Sequence, residues 1–332
     1  MNTAPGPPRL VGFEVSGPYD LALSLRAAAS FASSHARAAA KPDARLAEEP
    51  AAETAAEPAA SLRSAVRIDS VPSLLEVRQS SFDPPRLEAT ARPKARGETV
   101  EAIARRLVNA SLDLQPFYES ARDHPLLGPL TVSLRGMKAF RPATLFEMLV
   151  TAVIEQQISL LAAHHIRGRL VESFGQPLDG FVVFPSPEAL AEAPLEALRG
   201  CGLSQRKAEY IGGLAQLVTT GREDLEALEG LPDDEVRARV AAIRGFGRWS
   251  ADYLLIRGLG RPDVVPVDDL GIQTLLGRLM GEGARLTPDG VRRVLEPLAP
   301  FRGVAVFYLL AATRLSLVPT ARDRKGYTSA NN

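Results

Sequence analysis

The sequence predicts an α+β protein: a small mixed α/β domain at the N-terminus, then a larger, all-helical domain. Two observations predict it. Short β-prone runs are confined to the first part of the chain, and from Glu98 to Leu315 apolar residues recur at helical spacing between short polar breaks. A length of 332 residues suits roughly two domains of ordinary size. Hydrophobic content of 45% and charged content of 23% belong to a globular chain. A single cysteine excludes an intramolecular disulfide and any four-cysteine zinc or iron–sulfur site. The stretch Met1 to Gly17 has no basic segment leading into an apolar run, and no segment approaches the ~18 apolar residues of a membrane span. A cytoplasmic protein without a membrane partner is expected.

The strands come first. Val11 to Val15, Val66 to Gln79 and Arg86 to Thr90 partly alternate in polarity. Between the first two, Pro18-Tyr19-Asp20 precedes a helical face of Leu21, Leu25 and Ala28, with Asp20 as its N-cap. An Ala-rich segment from about Ala36 to Ser61 carries Glu48, Glu49, Glu53 and Glu57. Its prolines at 42, 50 and 58 break the helix that alanine favours, so it reads as a surface insertion. The expected division is residues 1–133, residues 134–318 and a polar tail, 319–332.

The helices follow. Val100, Ile103, Ala104 and Leu107 share one face. Further helices are predicted over Thr144–Ser159, Leu160–Phe174, Pro187–Arg199, Ser204–Thr219, Asp224–Leu228, Asp233–Ile243, Trp249–Leu259, Asp269–Met280, Thr287–Leu295 and Gly303–Leu315. Pro187, Ser204 and Thr287-Pro288 are start signals.

Within this region, Gly245-Phe246-Gly247-Arg248-Trp249-Ser250 joins the end of one helix to the start of the next. Glycine permits backbone angles that other residues resist, and the free N–H groups of the second helix can hold a phosphate. An ordinary helical turn with a glycine cap fits the hairpin equally well. Formal net charge is zero, which argues against a nucleic-acid partner, yet Arg237, Arg239, Arg244, Arg248, Arg257 and Arg261 cluster here against Asp252 alone. Downstream, Val264-Val265-Pro266-Val267-Asp268-Asp269 delivers two carboxylates to another helix start. Both can be caps, or one can face the groove between helices, ionised and suited to an oxocarbenium-like transition state.

The hairpin followed by this Val-Asp loop resembles the helix–hairpin–helix DNA glycosylase superfamily, and most of all its alkylation-repair branch, the DNA-3-methyladenine glycosylase II type. Leu145 to Ser159, with Glu155-Gln156-Gln157-Ile158-Ser159, is similar to that branch's Gln-hydrophobic-Ser helix. Gly200 to Ala208 and Leu298-Ala299-Pro300-Phe301-Arg302-Gly303 extend the resemblance, which covers Leu145 to Leu315. It implies a helix–hairpin–helix glycosylase fold for residues 134–318 and a partner: double-stranded DNA with damaged bases, met by a monomer at the nucleoid. The implied activity is monofunctional hydrolysis of the N-glycosidic bond of alkylated bases, of the 3-methyladenine type, in base excision repair. Two alternatives stand: a related glycosylase for uracil, deaminated or oxidised bases, and a non-catalytic module that binds damaged DNA.

The resemblance also implies roles. Asp269 falls on the catalytic aspartate, with Asp268 as a cap or support. Gly245, Phe246, Gly247, Arg248 and Ser250 surround a DNA phosphate. Trp249 and Tyr253 line the pocket for the flipped base, and Gln156 and Gln157 fill the gap it leaves. Trp249 stands where bifunctional relatives carry a lysine, so no strand scission is expected, and Lys207 is the rival nucleophile. No cofactor and no catalytic metal are expected, although relatives' hairpins can hold a monovalent cation through loop carbonyls. Cys201 reads as a core residue, and His35, His124, His164 and His165 as residues without a metal role. Leu310 stands where the branch has a second pocket tryptophan, which leaves Phe301, Phe307 and Tyr308 as substitutes and the lesion range open.

Overall fold

The computed structural model describes residues 9–32, 60–281 and 283–318. The Ala-rich segment as far as residue 59, with its four glutamates and His35, lies outside the described residues, as does the tail from 319. Four strands form one antiparallel sheet in the order β1-β4-β3-β2: β1 (Val11–Glu14), β2 (Ser61–Ile68), β3 (Val71–Phe82) and β4 (Pro85–Arg92). Alternation sets its buried face, with Leu87, Ala89 and Ala91 of β4 beside Leu75 and Val77 of β3. Ser61, the last residue of the expected insertion, already pairs with Arg78 in the sheet. Helix α1 (Leu21–Ala32) and helix α2 (Gly97–Leu107) lie against the strands. Asp20 Oδ1 accepts from Leu23 N–H at 2.8 Å, the expected cap.

The rest of the described chain is helical apart from one hairpin. Helices α3 (Gln115–Ala121) and α4 (Leu127–Ser133) precede α5 (Leu145–Glu155) and α6 (Leu160–Phe174). After the hairpin β5 (Gln176–Leu178) and β6 (Phe181–Val183) come α7 (Pro187–Ala191), α8 (Leu195–Gly200) and α9 (Gln205–Thr219). Then follow α10 (Asp233–Ala242), α11 (Arg248–Tyr253), α12 (Leu270–Met280), α13 (Pro288–Leu295) and α14 (Arg302–Arg314). The single helix expected over Pro187–Arg199 is two, because Pro194 has no N–H to continue the first. The segment expected as a helix at Asp224–Leu228 is one 3₁₀ turn, Glu226–Gly230. The hairpin β5–β6 turns at Asp179-Gly180, both at positive φ, an Asp-Gly signal for a two-residue turn.

Burial divides these elements into three clusters. One joins the sheet to α2. One surrounds α5, which buries nearly every side chain from Leu145 to Ile154 and so runs through the centre of its neighbours. The third joins α3 and α4 to α12, α13 and α14, so residues 114–137 pack with the C-terminal helices rather than with the sheet. Leu21 of α1 belongs to the sheet cluster, while Leu23 and Ala27 belong to the third, and α1 thereby ties the two together. Among the described residues no single helix is long and apolar enough to cross a membrane.

Candidate active site

Three segments meet at one place: the C-terminal end of α5, the hairpin with α11, and the loop that starts α12. The hairpin owes its shape to Gly245. Its φ is +96°, and a Cβ there would fall inside the Tyr210 ring. Gly247 differs: its backbone is extended and nothing lies within 4 Å of a Cβ added to it, so no internal constraint demands glycine there. It is the N-cap of α11, and the first bond of that helix runs from Ala251 N–H to the Gly247 carbonyl at 3.1 Å. The N–H groups of Arg248, Trp249 and Ser250 therefore project from the helix end.

Around this end the expected DNA-facing residues separate. Phe246 is 5% exposed and packs into the α5 cluster, so its side chain faces the core and only its main chain faces the hairpin. Ser250 is 1% exposed, and its Oγ accepts from Gln156 Nε2 at 3.2 Å. Gln156 Nε2 also donates to the Gly245 carbonyl at 3.1 Å. That side chain clamps the hairpin to α5. Gln157, next along the chain, is exposed with φ of +58° and stands out from the surface.

The arginine cluster is largely paired. Arg237 and Arg248 both face Asp252, at 2.7 and 3.6 Å. Asp252 is buried, and two guanidinium groups compensate its charge. Arg239 pairs with Glu223, Arg244 with Glu209 and Arg261 with Asp233. Among the described residues only Arg257 of the six forms no ion pair. The local positive charge read from the sequence is thus mostly compensated by acids distant along the chain, although the Arg244 and Arg248 side chains remain 80% and 65% exposed.

The acidic loop is held from three sides. Arg302 of α14 donates to Asp263 through its main-chain N–H and two guanidinium nitrogens, at 3.1, 2.9 and 2.6 Å. Its neighbour Gly303 lets the loop approach, since a Cβ there would meet the Val264 carbonyl. Buried Gln273 donates to the Val267 carbonyl at 3.0 Å. The loop ends in exposed Asp268 and half-buried Asp269. Asp269 is the cap as well as the inward carboxylate, the two roles the sequence assigned to different residues. Its Oδ1 accepts from Ile272 N–H at 3.0 Å, and its Oδ2 accepts from Trp249 Nε1 at 3.0 Å. Asp268 caps nothing among the described residues.

Trp249 and Tyr253, four apart on α11, stack with ring centroids 4.8 Å apart and planes 18° apart. The Tyr253 hydroxyl donates to Glu155 Oε2 at 2.6 Å. Burial raises the Tyr253 hydroxyl above its ordinary pKa, and the charges of Glu155 and Asp269 raise it further, while Arg257 opposes them. Glu155 was passed over in the sequence, although it directly precedes the Gln-Gln pair. The other aromatic candidates lie elsewhere: Phe307 stacks on Phe31, Phe301 faces Phe117, and buried Tyr308 bonds Tyr118 at 2.7 Å. Leu310 packs against the third cluster. Trp249 and Tyr253 are the aromatic surface of this site.

Lys207 is not poised as a nucleophile. Its Nζ donates to the Ile154 and Gln156 carbonyls at 2.9 and 2.6 Å, capping α5, and burial lowers its pKa. Cys201 is buried. His124 serves the backbone: its Nδ1 accepts from Leu126 and Leu127 N–H at the start of α4. Among the described residues no cluster of three His, Cys, Asp or Glu could hold a metal ion.

Residues 150–300 match the family model described as HhH-GPD superfamily base excision DNA repair protein. The chain is 32% identical over 201 residues to the DNA-3-methyladenine glycosylase of Bacillus subtilis, covering 59% of this chain and 66% of that one. It spans 58% of a second relative from the same organism. It is 31% identical over 222 residues to DNA-3-methyladenine glycosylase 1 of Schizosaccharomyces pombe, covering 66% of this chain and 93% of that one. In structure it is similar to a 3-methyladenine DNA glycosylase from Archaeoglobus fulgidus, with TM-score 0.73 and 25% identity over 92% of this chain and 99% of that one. It is also similar to the S. pombe 3-methyladenine DNA glycosylase solved with abasic DNA, with TM-score 0.54 and 28% identity over 62% and 100% of the two chains.

Proposed function

Because the chain belongs to the HhH-GPD superfamily of base excision DNA repair proteins, we propose that it hydrolyses the N-glycosidic bond of alkylated bases in double-stranded DNA, without strand scission. The observation that carries this is the pair of hydrogen bonds on Asp269. They join the hairpin helix to the acidic loop and fix one carboxylate beside an aromatic stack. A base inside a duplex cannot reach such a group, so the nucleotide must be flipped out at a cost of a few kcal/mol, least for a damaged base.

In this reading the flipped base lies against Trp249 and Tyr253, and the cation–π attraction of an alkylated, cationic base adds roughly 0.5–2 kcal/mol per ring. Asp269 faces the sugar. As the base leaves, positive charge develops on the deoxyribose ring, and a carboxylate already oriented by two donors stabilises it without reorganisation. The same carboxylate can orient the water that attacks C1′. The products are a free base and an abasic site. Trp249 offers no amine for a Schiff base, and Lys207 is engaged by two carbonyls, which supports the absence of lyase chemistry.

The amides at the start of α11 would hold a phosphate, with Arg248 beside them, and Gln157 would fill the gap in the duplex. A monovalent cation at the hairpin belongs to the same proposal. Neutral main-chain oxygens suit such an ion, and the Ile243 and Gly245 carbonyls each accept one bond and keep a lone pair free. It would add positive charge next to the phosphate.

The test is chromatography of bases released from methylated DNA by the purified protein. Release of methylated purines supports the proposal. Release only from uracil- or hypoxanthine-containing DNA would reassign the substrate. No release from any of them, with DNA binding intact, would leave a binding module.

A further inference from the structure

We infer that Glu155 is a specificity-determining residue, a second carboxylate that selects positively charged bases over neutral ones. The inference deepens the reading above and rests on it. Each end of the Trp249–Tyr253 stack carries a carboxylate: Asp269 on the indole N–H at 3.0 Å and Glu155 on the phenol at 2.6 Å. Both are half-buried. Among the described residues neither forms an ion pair with an arginine or lysine.

The surroundings make that absence informative. Asp252, on the same helix as the stack, is held by two arginines. Lys207 reaches the end of α5 where Glu155 sits, yet its ammonium donates to the carbonyls on either side of Glu155, at 2.9 and 2.6 Å. Arg257, one turn beyond Tyr253, is exposed and pairs with neither carboxylate. Glu155 is also the last residue of α5, where the helix dipole is negative and a carboxylate is disfavoured. A half-buried carboxylate at the wrong end of a helix, with no cation paired to it, is compensated when a cation arrives.

The ligand with that charge is the base itself. A purine nucleoside alkylated at N3 or N7 is cationic, whereas hypoxanthine is neutral. Asp269 lies toward the sugar in the proposed reaction and acts on any glycosidic bond. Glu155 acts on the ring. Its hydrogen bond draws the phenol proton away from the pocket and enriches the Tyr253 ring in electron density, and its own charge adds direct attraction. Both effects favour capture of the flipped cationic base; its charge passes to the sugar as the bond breaks, so the preference appears in the second-order rate of excision.

The test is Glu155→Gln, which keeps an acceptor for the Tyr253 hydroxyl and removes the charge. Single-turnover excision is measured with enzyme below saturation, on duplexes with one N7-methylguanine or one hypoxanthine. The ratio of the two rates falls roughly tenfold in the variant. In Tyr253→Phe, which loses the hydrogen bond and keeps the Glu155 charge, most of the ratio survives. An unchanged ratio in Glu155→Gln overturns the inference and leaves the glycosylase reading standing. An equal fall in Tyr253→Phe overturns it too, since Glu155 would then act only by holding that ring.

Binding separates the two readings without chemistry. Trp249 is the single tryptophan of the chain, so its fluorescence reports the pocket alone. Quenching by N7-methylguanosine exceeds quenching by inosine in the parent protein, and Glu155→Gln removes the difference. If the parent protein excises neither base while this selectivity is present and lost on substitution, the glycosylase reading falls and the role of Glu155 stands. If the parent protein shows no selectivity, the inference falls.

Discussion

The two ends of α5 treat charge in opposite ways. At its N-terminal end the Leu145 N–H donates to Glu226, Arg106 pairs with Glu226 at 2.5 Å, and Arg141 pairs with Glu229 at 2.5 Å and donates to the Gly258 carbonyl. Roughly 16 Å along the helix, Glu155 and Asp269 have only the aromatic donors and a backbone amide for partners. A groove of about 520 Å³ opens at the paired end, yet each carboxylate that lines it faces an arginine. Size alone would direct attention there. Charge compensation directs it to the other end: the paired end holds elements of the fold together, and the unpaired end leaves charge available to a ligand.

The largest expected effect comes from breaking the unpaired end. In Asp269→Asn the single amide oxygen can still cap α12, since asparagine caps as well as aspartate. The amide nitrogen then faces the Trp249 N–H, so that bond is lost along with the charge. Excision falls by on the order of 10²–10³-fold or more, while DNA affinity is equal or better because a negative charge near phosphate is gone. Single-turnover rates and a filter-binding titration read both; retained turnover would assign the chemistry to another carboxylate.

Breaking the paired end should act on stability instead. Arg141→Met leaves Glu229 without its closest partner and the Gly258 carbonyl without a donor. The loss costs roughly 1–3 kcal/mol, less than for a fully buried pair, because Glu229 is half exposed and keeps Arg106. Denaturant unfolding measures it. The N7-methylguanine to hypoxanthine ratio stays at the parent value, and a change in that ratio would dissolve the contrast between the ends.

The effect smallest per pH unit concerns a buried cation that forms no ion pair among the described residues. Lys138 is 1% exposed and donates to the Ser16 carbonyl at 2.8 Å. Burial lowers its pKa from 10.5 to about 7. Between these values the unfolded chain holds a proton that the folded chain has released, so stability rises with pH across that window, by at most ~1.4 kcal/mol per pH unit from this group. The penalty is full below about pH 7 and gone above about 10.5. In Lys138→Met that part of the rise disappears, as thermal unfolding of both proteins from pH 7 to pH 10 would show. Parallel curves would mean that Lys138 does not release its proton on folding.

Much of the fold was legible. Local rules placed Asp20, Ser204 and Thr287 as caps, and each accepts the expected backbone N–H. Helix α6 runs over the predicted residues. What escaped were short pieces: α3 and α4, too brief for a period to show, and the hairpin at Asp179-Gly180, hidden inside a helical stretch. The candidate site was legible in part. Trp249, Tyr253 and Asp269 do meet, whereas Gln156, Phe246 and Ser250 face inward, and Glu155 stayed unseen because one glutamate at a helix end looks like any solvated charge.

By itself the sequence determined most of the longer helices, three caps and the hairpin at Gly245, because those depend on residues a few positions apart and on backbone preferences such as that of Gly245. Only the tertiary structure decided which charges are compensated. Arg141 finds Glu229 across 88 positions, Tyr253 finds Glu155 across 98, and Arg302 anchors Asp263 across 39. A count of charges cannot tell a paired arginine from a free one. The energy of an ion depends on partners within a few ångströms and on exclusion of water, and chain folding alone brings those together.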